Sequence, residues 1–293
     1  MSFSLLLSQL MNGLQTGAIY ALVALGYSMV YGIILLLNFA HGDIIMIGSY
    51  ALFYSMMQFQ LHPIISAILA IFVSCFLGVF LEKIAYRPLR QAPRLSLLIT
   101  AIGCSFLLEN GAQILFGPST RKIDPFFSGS LHIGSVNLSY ASLFTIAIAV
   151  CSMILLTILV NRTKMGKAMR AVSEDTEASL LMGINVNRTI SFTFAVGSAL
   201  AGIGAILYLS TYPQISPTMG SMLGLKAFVA AVLGGIGSIP GAMIGGLAIG
   251  ILEVFAATVG LSTWKDAVVF GILILVLLFK PTGIMGRNFT EKV

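Results

Sequence analysis

The side chains able to do acid–base, nucleophilic or metal chemistry are few in this sequence, and they are scattered. There are 3 histidines, His41, His62 and His132, each in a different loop or inter-helix region. The 3 cysteines, Cys75, Cys104 and Cys151, lie within apolar runs far from one another and read as small buried hydrophobes. Catalysis needs a nucleophile beside a base, or converging metal ligands. His41 and Asp43 have no third ligand at suitable spacing. Neither a catalytic residue nor a metal site is expected. The phosphate loop G-x-x-x-x-G-K-[ST] is also missing, because Gly166-Lys167 is followed by Ala168. The chain is expected to bind no cofactor and to hydrolyse no ATP itself.

What remains is polar chemistry set inside apolar sequence. Leu37-Asn38-Phe39-Ala40-His41-Gly42-Asp43 interrupts a long apolar run. It reads either as a cytoplasmic-side turn, with Asp43 near the N-terminus of the next helix, or as part of a passage. Leu233-Gly234-Gly235-Ile236-Gly237-Ser238-Ile239-Pro240-Gly241 cannot sustain a helix. Unwound backbone at membrane depth survives only when buried in protein or lining a wet cavity, and such breaks mark transporter substrate sites; an ordinary turn is the other reading. Glu253 stands well inside an apolar run, as an intramembrane acid or at an outer interface. Glu109 and Asn110, near the outer end of their span, read as interfacial caps. The expected pathway residues are therefore Asn38, His41, Asp43, Gly234, Gly235, Gly237, Ser238 and Glu253.

The elements that must hold these residues are set by the near absence of charge. Residues 1–42, 44–81, 125–161 and 189–225 contain no Asp, Glu, Lys or Arg. About 20 apolar residues span a bilayer core, so each run holds one or two spans. Hydrophobic residues make up 58% of the chain and charged ones 9%, with mean hydropathy +1.00. The expected fold is an all-α polytopic integral membrane protein of eight or nine transmembrane helices, with at least one broken or re-entrant segment. The spans fall near 13–36, 40–60, 63–82, 96–116, 138–160, 189–211, 225–239, 241–258 and 266–280. Residues 1–293 form one membrane domain, since no polar stretch is long enough for a soluble one. Met1–Met11 lacks a basic n-region and reads as an interfacial lead rather than a signal peptide.

The sequence pI near 9.3 does not point to nucleic acid, because the basic residues sit between apolar runs. Segment 82–94, segment 161–188 and the tail with Lys280, Arg287 and Lys292 carry most of the 16. By the positive-inside bias these face the cytoplasm, with 117–137 and 212–223 outside. The N-terminus is then periplasmic and the C-terminus cytoplasmic. Gly13/Gly17, Gly220/Gly224, Gly241/Gly245 and Gly246/Gly250 form G-x-x-x-G pairs, which let helix backbones approach closely.

The cytoplasmic segment 162–188 carries one more motif. Ser173 is an expected N-cap, with Glu174, Asp175 and Glu177 in the first turn. Ala178, Leu181 and Met182 give an apolar stripe, and Gly183 is placed to end the helix. So short a helix is marginal alone. Its acidic first turn argues for a protein surface rather than lipid headgroups.

These residues carry a resemblance that runs along nearly the whole chain. Gly26-Tyr27-Ser28-Met29-Val30-Tyr31-Gly32-Ile33, Asn38 to Asp43 and Ala85-Tyr86-Arg87-Pro88-Leu89-Arg90 are its first carriers. Glu174-Asp175 through Gly183-Ile184-Asn185, Lys226-Ala227-Phe228 through Gly241–Gly246, and Pro281-Thr282-Gly283-Ile284 complete it. The chain resembles the membrane permease subunits of high-affinity branched-chain amino acid importers, of the ATP-binding-cassette superfamily. The resemblance implies a periplasmic binding protein that captures the substrate. It implies two permease subunits in the inner membrane, this chain with a paralogue or a second copy, and two cytoplasmic ATPases that use ATP and Mg. It makes Ser173, Glu174, Asp175, Glu177, Ala178, Leu181 and Gly183 the helix that couples to an ATPase. Urea, short amides or other amino acids are alternative cargoes within the family. An ion-coupled secondary transporter would need no coupling helix, and a membrane enzyme would need the catalytic cluster this sequence lacks.

Overall fold

The computed structural model describes residues 3–34, 37–124, 129–133 and 136–286. Arg287 and Lys292 of the basic tail, and residues 125–128 and 134–135 of the loop 117–137, lie outside them. The chain is built of α1 (Phe3–Ile34), α2 (His41–Phe53), α3 (Pro63–Leu81), α4 (Arg94–Phe116), α5 (Tyr140–Arg162), α6 (Lys164–Glu174), α7 (Thr176–Leu181), α8 (Val186–Thr211), α9 (Met219–Gly234), α10 (Ile239–Ala256) and α11 (Lys265–Phe279). Strands β1 (Arg121–Lys122), β2 (Ser130–Ile133), β3 (Val136–Ser139) and β4 (Gln214–Ile215) are confined to loops. β1 pairs antiparallel with β4, which ties two loops at one end of the bundle.

Helices are forced here because lipid offers no partner to a free N–H or C=O. Among the described residues, six segments are long and apolar enough to cross a membrane: Leu5–Ile34, Pro63–Leu89, Leu95–Phe116, Tyr140–Arg162, Val186–Thr211 and Ile239–Phe279. The last contains both α10 and α11, parted by a π-helical turn at Ala257–Leu261 where Gly260 takes φ 94°. α9 is a shorter apolar helix. The protein is an all-α, multi-pass membrane protein. Two expected boundaries move. The first helix begins at Phe3 rather than near residue 13, so the stretch expected as an interfacial lead is already helical. The adjoining spans 225–239 and 241–258 form two helices, α9 and α10, joined by a tight turn.

α1 is the central post, 78% buried along its apolar span, whereas α4 is only 11% buried and stands at the edge. Each glycine pair meets another part of the same chain. A Cβ at Gly17 of α1 would lie 2.8 Å from Leu247 Cα of α10. A Cβ at Gly42 of α2 would lie 2.9 Å from Gly224 Cα of α9. Small residues thus buy backbone contact where lipid removes the hydrophobic drive for association. Outward faces of α3 and α4 stay apolar, with Ile64, Ile68, Phe72 and Phe76 on one and Ile99, Phe106 and Ile114 on the other, all exposed.

The basic segments gather at one end. The Arg90 guanidinium pairs with Glu82, which is fully buried, and donates to Asn187 at 2.8 Å. Ser191 donates to the other Glu82 oxygen at 2.6 Å. Segment 82–94 is thereby clamped to the start of α8.

Candidate functional site

The segment 162–188 folds as two helices, α6 and α7. Ser173 is not the cap: it sits in the last turn of α6, where its hydroxyl donates to Arg170 O at 2.7 Å. Asp175 takes the role instead, accepting from Ala178 N at 2.9 Å. Its backbone leaves the helical region there (φ −156°, ψ 111°), as an N-cap requires. Gly183 closes α7 at φ 79°, as expected. Ile184 N–H donates to Ser179 O and Gly183 N–H to Leu180 O, both at 3.0 Å, a Schellman end. Between these caps Leu180, Leu181 and Met182 are 57%, 89% and 82% exposed. Three adjacent large apolar side chains held outward at the tip form a surface without a partner among the described residues.

The glycine-rich segment lies at the same end. Gly235 and Gly237 take φ 105° and 86°, which side chains rarely tolerate. Ser238 caps α10, accepting from Gly241 N at 3.2 Å. Gly237 N–H donates to Ser28 Oγ of α1 at 2.9 Å. The chain returns to the turn after α11: Ile284 N–H donates to Leu233 O and Met285 N–H to Gly234 O, each at 2.9 Å. Gly237 and Ser238 share a cavity of about 390 Å³ with Ser28, Arg170, Ser173 and Glu174. Two segments far apart in sequence, the turn and the last turns of α6, therefore wall one space.

The break at 37–43 is not a surface turn. Asn38, His41 and Asp43 are 2%, 1% and 1% exposed. Their neighbours come from α1, from α4 and from the π-helical turn Glu82–Tyr86 that follows α3. Asp43 accepts from Ser105, midway along α4. His41 stacks edge-on against Tyr27 with centroids 4.7 Å apart. It abuts Gly26, where a Cβ would collide with the ring. Asn38 Oδ1 accepts from Tyr86 OH at 2.7 Å. Asn38 Nδ2, His41 Nε2 and Asp43 Oδ1 nonetheless have no hydrogen-bond partner among the described residues. Buried groups left so are rare and call for an explanation.

Glu253 has the opposite surroundings. It is 5% exposed and accepts from Tyr20 OH at 2.7 Å. It pairs with Lys226 and Lys265, each at 2.8 Å. Lys226 also reaches Asp266 at 2.7 Å. A cavity of about 570 Å³ opens beside Glu253, lined by Gln9, Asn12, Gln15, Thr16, Tyr212 and Lys265 among others. Sequence reasoning does not single out Tyr20 or Asp266, and it gives Lys226 and Lys265 no part in a site. A lone lysine in an apolar run was the available signal, since it needs an acid.

Of the expected pathway residues, the structure brings Gly237 and Ser238 beside the last turns of α6. Asn38, His41 and Asp43 form a separate buried group, and Glu253 stands apart in its ion cluster. Comparisons with known proteins bear on what these parts serve. The family described as branched-chain amino acid transport system / permease component matches residues 9–278. The high-affinity branched-chain amino acid transport permease BraD of Pseudomonas aeruginosa is 46% identical, over 98% of both chains. The LivH permeases of Salmonella typhimurium and Escherichia coli, named for the same transport, are 42% identical over 99% of both chains.

Proposed function

Because the chain belongs to the branched-chain amino acid transport permease family, we propose that it is a membrane-spanning subunit of an ATP-driven importer that carries branched-chain amino acids across the inner membrane. A periplasmic binding protein delivers the amino acid. A second permease subunit, a paralogue or another copy, completes the passage, and two cytoplasmic ATPases drive it. The observation that carries this reading is the capped α7, which holds Leu180, Leu181 and Met182 out of the fold. A tip of that kind needs a groove in a soluble protein, and a secondary transporter has no use for one.

The shared cavity gives the tip a mechanical consequence. Movement of α7 passes through α6 to Ser173 and Glu174, and so to the wall opposite Gly237 and Ser238. The turn 234–241 then shifts against α1 through its bond to Ser28. In this reading the turn transmits the stroke at the cytoplasmic mouth, and the buried group Asn38, His41 and Asp43 belongs to the passage proper. Glu253 and its partners tie α1, α9, α10 and α11 together. The N-terminus is periplasmic and the basic end cytoplasmic.

Reconstituted with its ATPases, a second permease subunit and the binding protein, the complex is expected to concentrate leucine in liposomes at the expense of ATP. The chain alone is expected to hydrolyse none. No leucine uptake by the complete complex would sink the reading. Leu181→Asp should weaken co-purification of the ATPases by about tenfold, the change made by losing one well-buried apolar anchor, and leave membrane insertion intact. Leu181→Cys, in a chain without Cys75, Cys104 and Cys151, should react with an impermeant maleimide only after spheroplasts are broken. Labelling in intact spheroplasts would reverse the orientation.

A further inference from the structure

Asp43 is joined by a second acid that the sequence presents as a helix-end cap. Ser105 and Glu109 are four apart on α4 and therefore share a face. Ser105 donates to Asp43 Oδ2, and Ser221 at the start of α9 donates to Glu109 Oε2 at 3.0 Å. Gly220 and Ser221, adjacent in the chain, lie against Asp43 and Glu109 respectively, so the two acids face the same turn of α9. The start of α9 closes over the pair, since a Cβ at Gly220 would lie 2.9 Å from Asp43 Oδ1.

Two carboxylates thus occupy one region, and among the described residues neither is in an ion pair. Each has one oxygen held by a serine hydroxyl. Asp43, 1% exposed, keeps its other oxygen without a partner. An unpaired carboxylate costs several kcal/mol at such depth, and an intramembrane acid calls for a named partner. The N-termini of α2 and α9 meet here, yet they supply no cation.

We propose that Asp43 and Glu109, held by Ser105 and Ser221, receive the ammonium group of the zwitterionic amino acid as it crosses the subunit. This rests on the transport reading above. An ammonium carries three donors, enough to bridge the free Asp43 oxygen and the Glu109 carboxylate. The site is closed in this arrangement, because the Gly42 and Gly220 backbones cover Asp43. α4 is the wall that opens it: it carries Ser105 and Glu109 and is the least buried of the long apolar helices. Nearby Tyr27, Phe39 and Phe228 offer apolar surface for the hydrocarbon part.

The test uses the complete reconstituted importer with Asp43→Asn, Asp43→Glu and Glu109→Gln, reading leucine uptake with and without sodium, and co-purification of the ATPases. Asp43→Asn and Glu109→Gln should assemble in wild-type yield and lose about tenfold in uptake, the worth of one charge-assisted hydrogen bond. Asp43→Glu should regain part of it. Normal uptake by both neutral variants overturns the proposal, and so does a loss of assembly in both, which makes the pair structural. Sodium-dependent wild-type uptake that loses this dependence in Asp43→Asn also overturns it, because the pair then holds a metal cation. If the wild-type complex takes up no branched-chain amino acid, the transport reading fails and this inference falls with it. Wild-type uptake with unaffected variants sinks the inference alone.

Discussion

Glu253 and Asp43 are both carboxylates buried among apolar helices, 5% and 1% exposed, yet the fold serves them differently. Around Glu253 the charges are matched: Lys226 and Lys265 face Glu253 and Asp266, and Tyr20 adds a hydroxyl. Four helices contribute, so the cluster works as a fastener for α1, α9, α10 and α11. Around Asp43 the donors are hydroxyls, and the acid nearby, Glu109, adds negative charge rather than cancelling it. Depth alone therefore does not mark a functional acid. What separates the two is whether the chain supplies the counter-ion.

The largest expected effect follows from removing the better-served acid. Glu253→Leu leaves Lys226 and Lys265 together, with only Asp266 to answer them. Breaking a buried ion pair from one side costs about 3–5 kcal/mol, so the purified variant should unfold at a much lower temperature, or fail to accumulate. Asp43→Asn should lose no stability, because it removes a buried charge that has no partner. Equal destabilisation of the two variants, measured by thermal unfolding in one detergent, would erase the contrast and make Asp43 a structural group. Pairing Glu253→Leu with Lys226→Met sharpens it: taking out both partners should recover stability that removing one loses.

The sequence shows these sites unequally, for reasons of distance. The break at Asn38–Asp43 is visible because polar residues interrupt an apolar run. Its depth is not, because depth depends on Tyr27 and Ser105, which arrive from other helices. Glu109 reads as a helix-end cap until α2 and α9 are set beside it. Lys226 is local enough to pair with Glu253 by inspection, but Tyr20 comes from the far end of the chain. At α7 the stop at Gly183 is legible because one glycine decides it. The start is not, because Ser173 and Asp175 are both good caps, and the length of α6 decides between them. The G-x-x-x-G pairs announce close packing without naming the partner, which is why α1 against α10 emerges only in three dimensions.

The smallest effects test the hydroxyls that each carboxylate accepts. Tyr20→Phe removes one donor from Glu253 and leaves both lysines in place. A hydrogen bond to a charged, buried group is worth about 1.5–3 kcal/mol, and the remaining cations should hold the loss near the lower end. Ser221→Ala removes a donor from Glu109 at a half-exposed position, where water can replace it, so stability should stay within about 0.5 kcal/mol of wild type. Transport should rank them the other way. Tyr20→Phe leaves the carboxylate pair untouched and should spare uptake by any complex that still assembles. Ser221→Ala frees the Glu109 side chain to swing away from Asp43 and should lower uptake without touching the fold. Measuring unfolding and leucine uptake on the same two preparations decides the matter. If stability and uptake fall together in Tyr20→Phe while Ser221→Ala is silent in both, the passage runs beside Glu253 and its polar cavity, and Asp43 loses its claim to the ammonium.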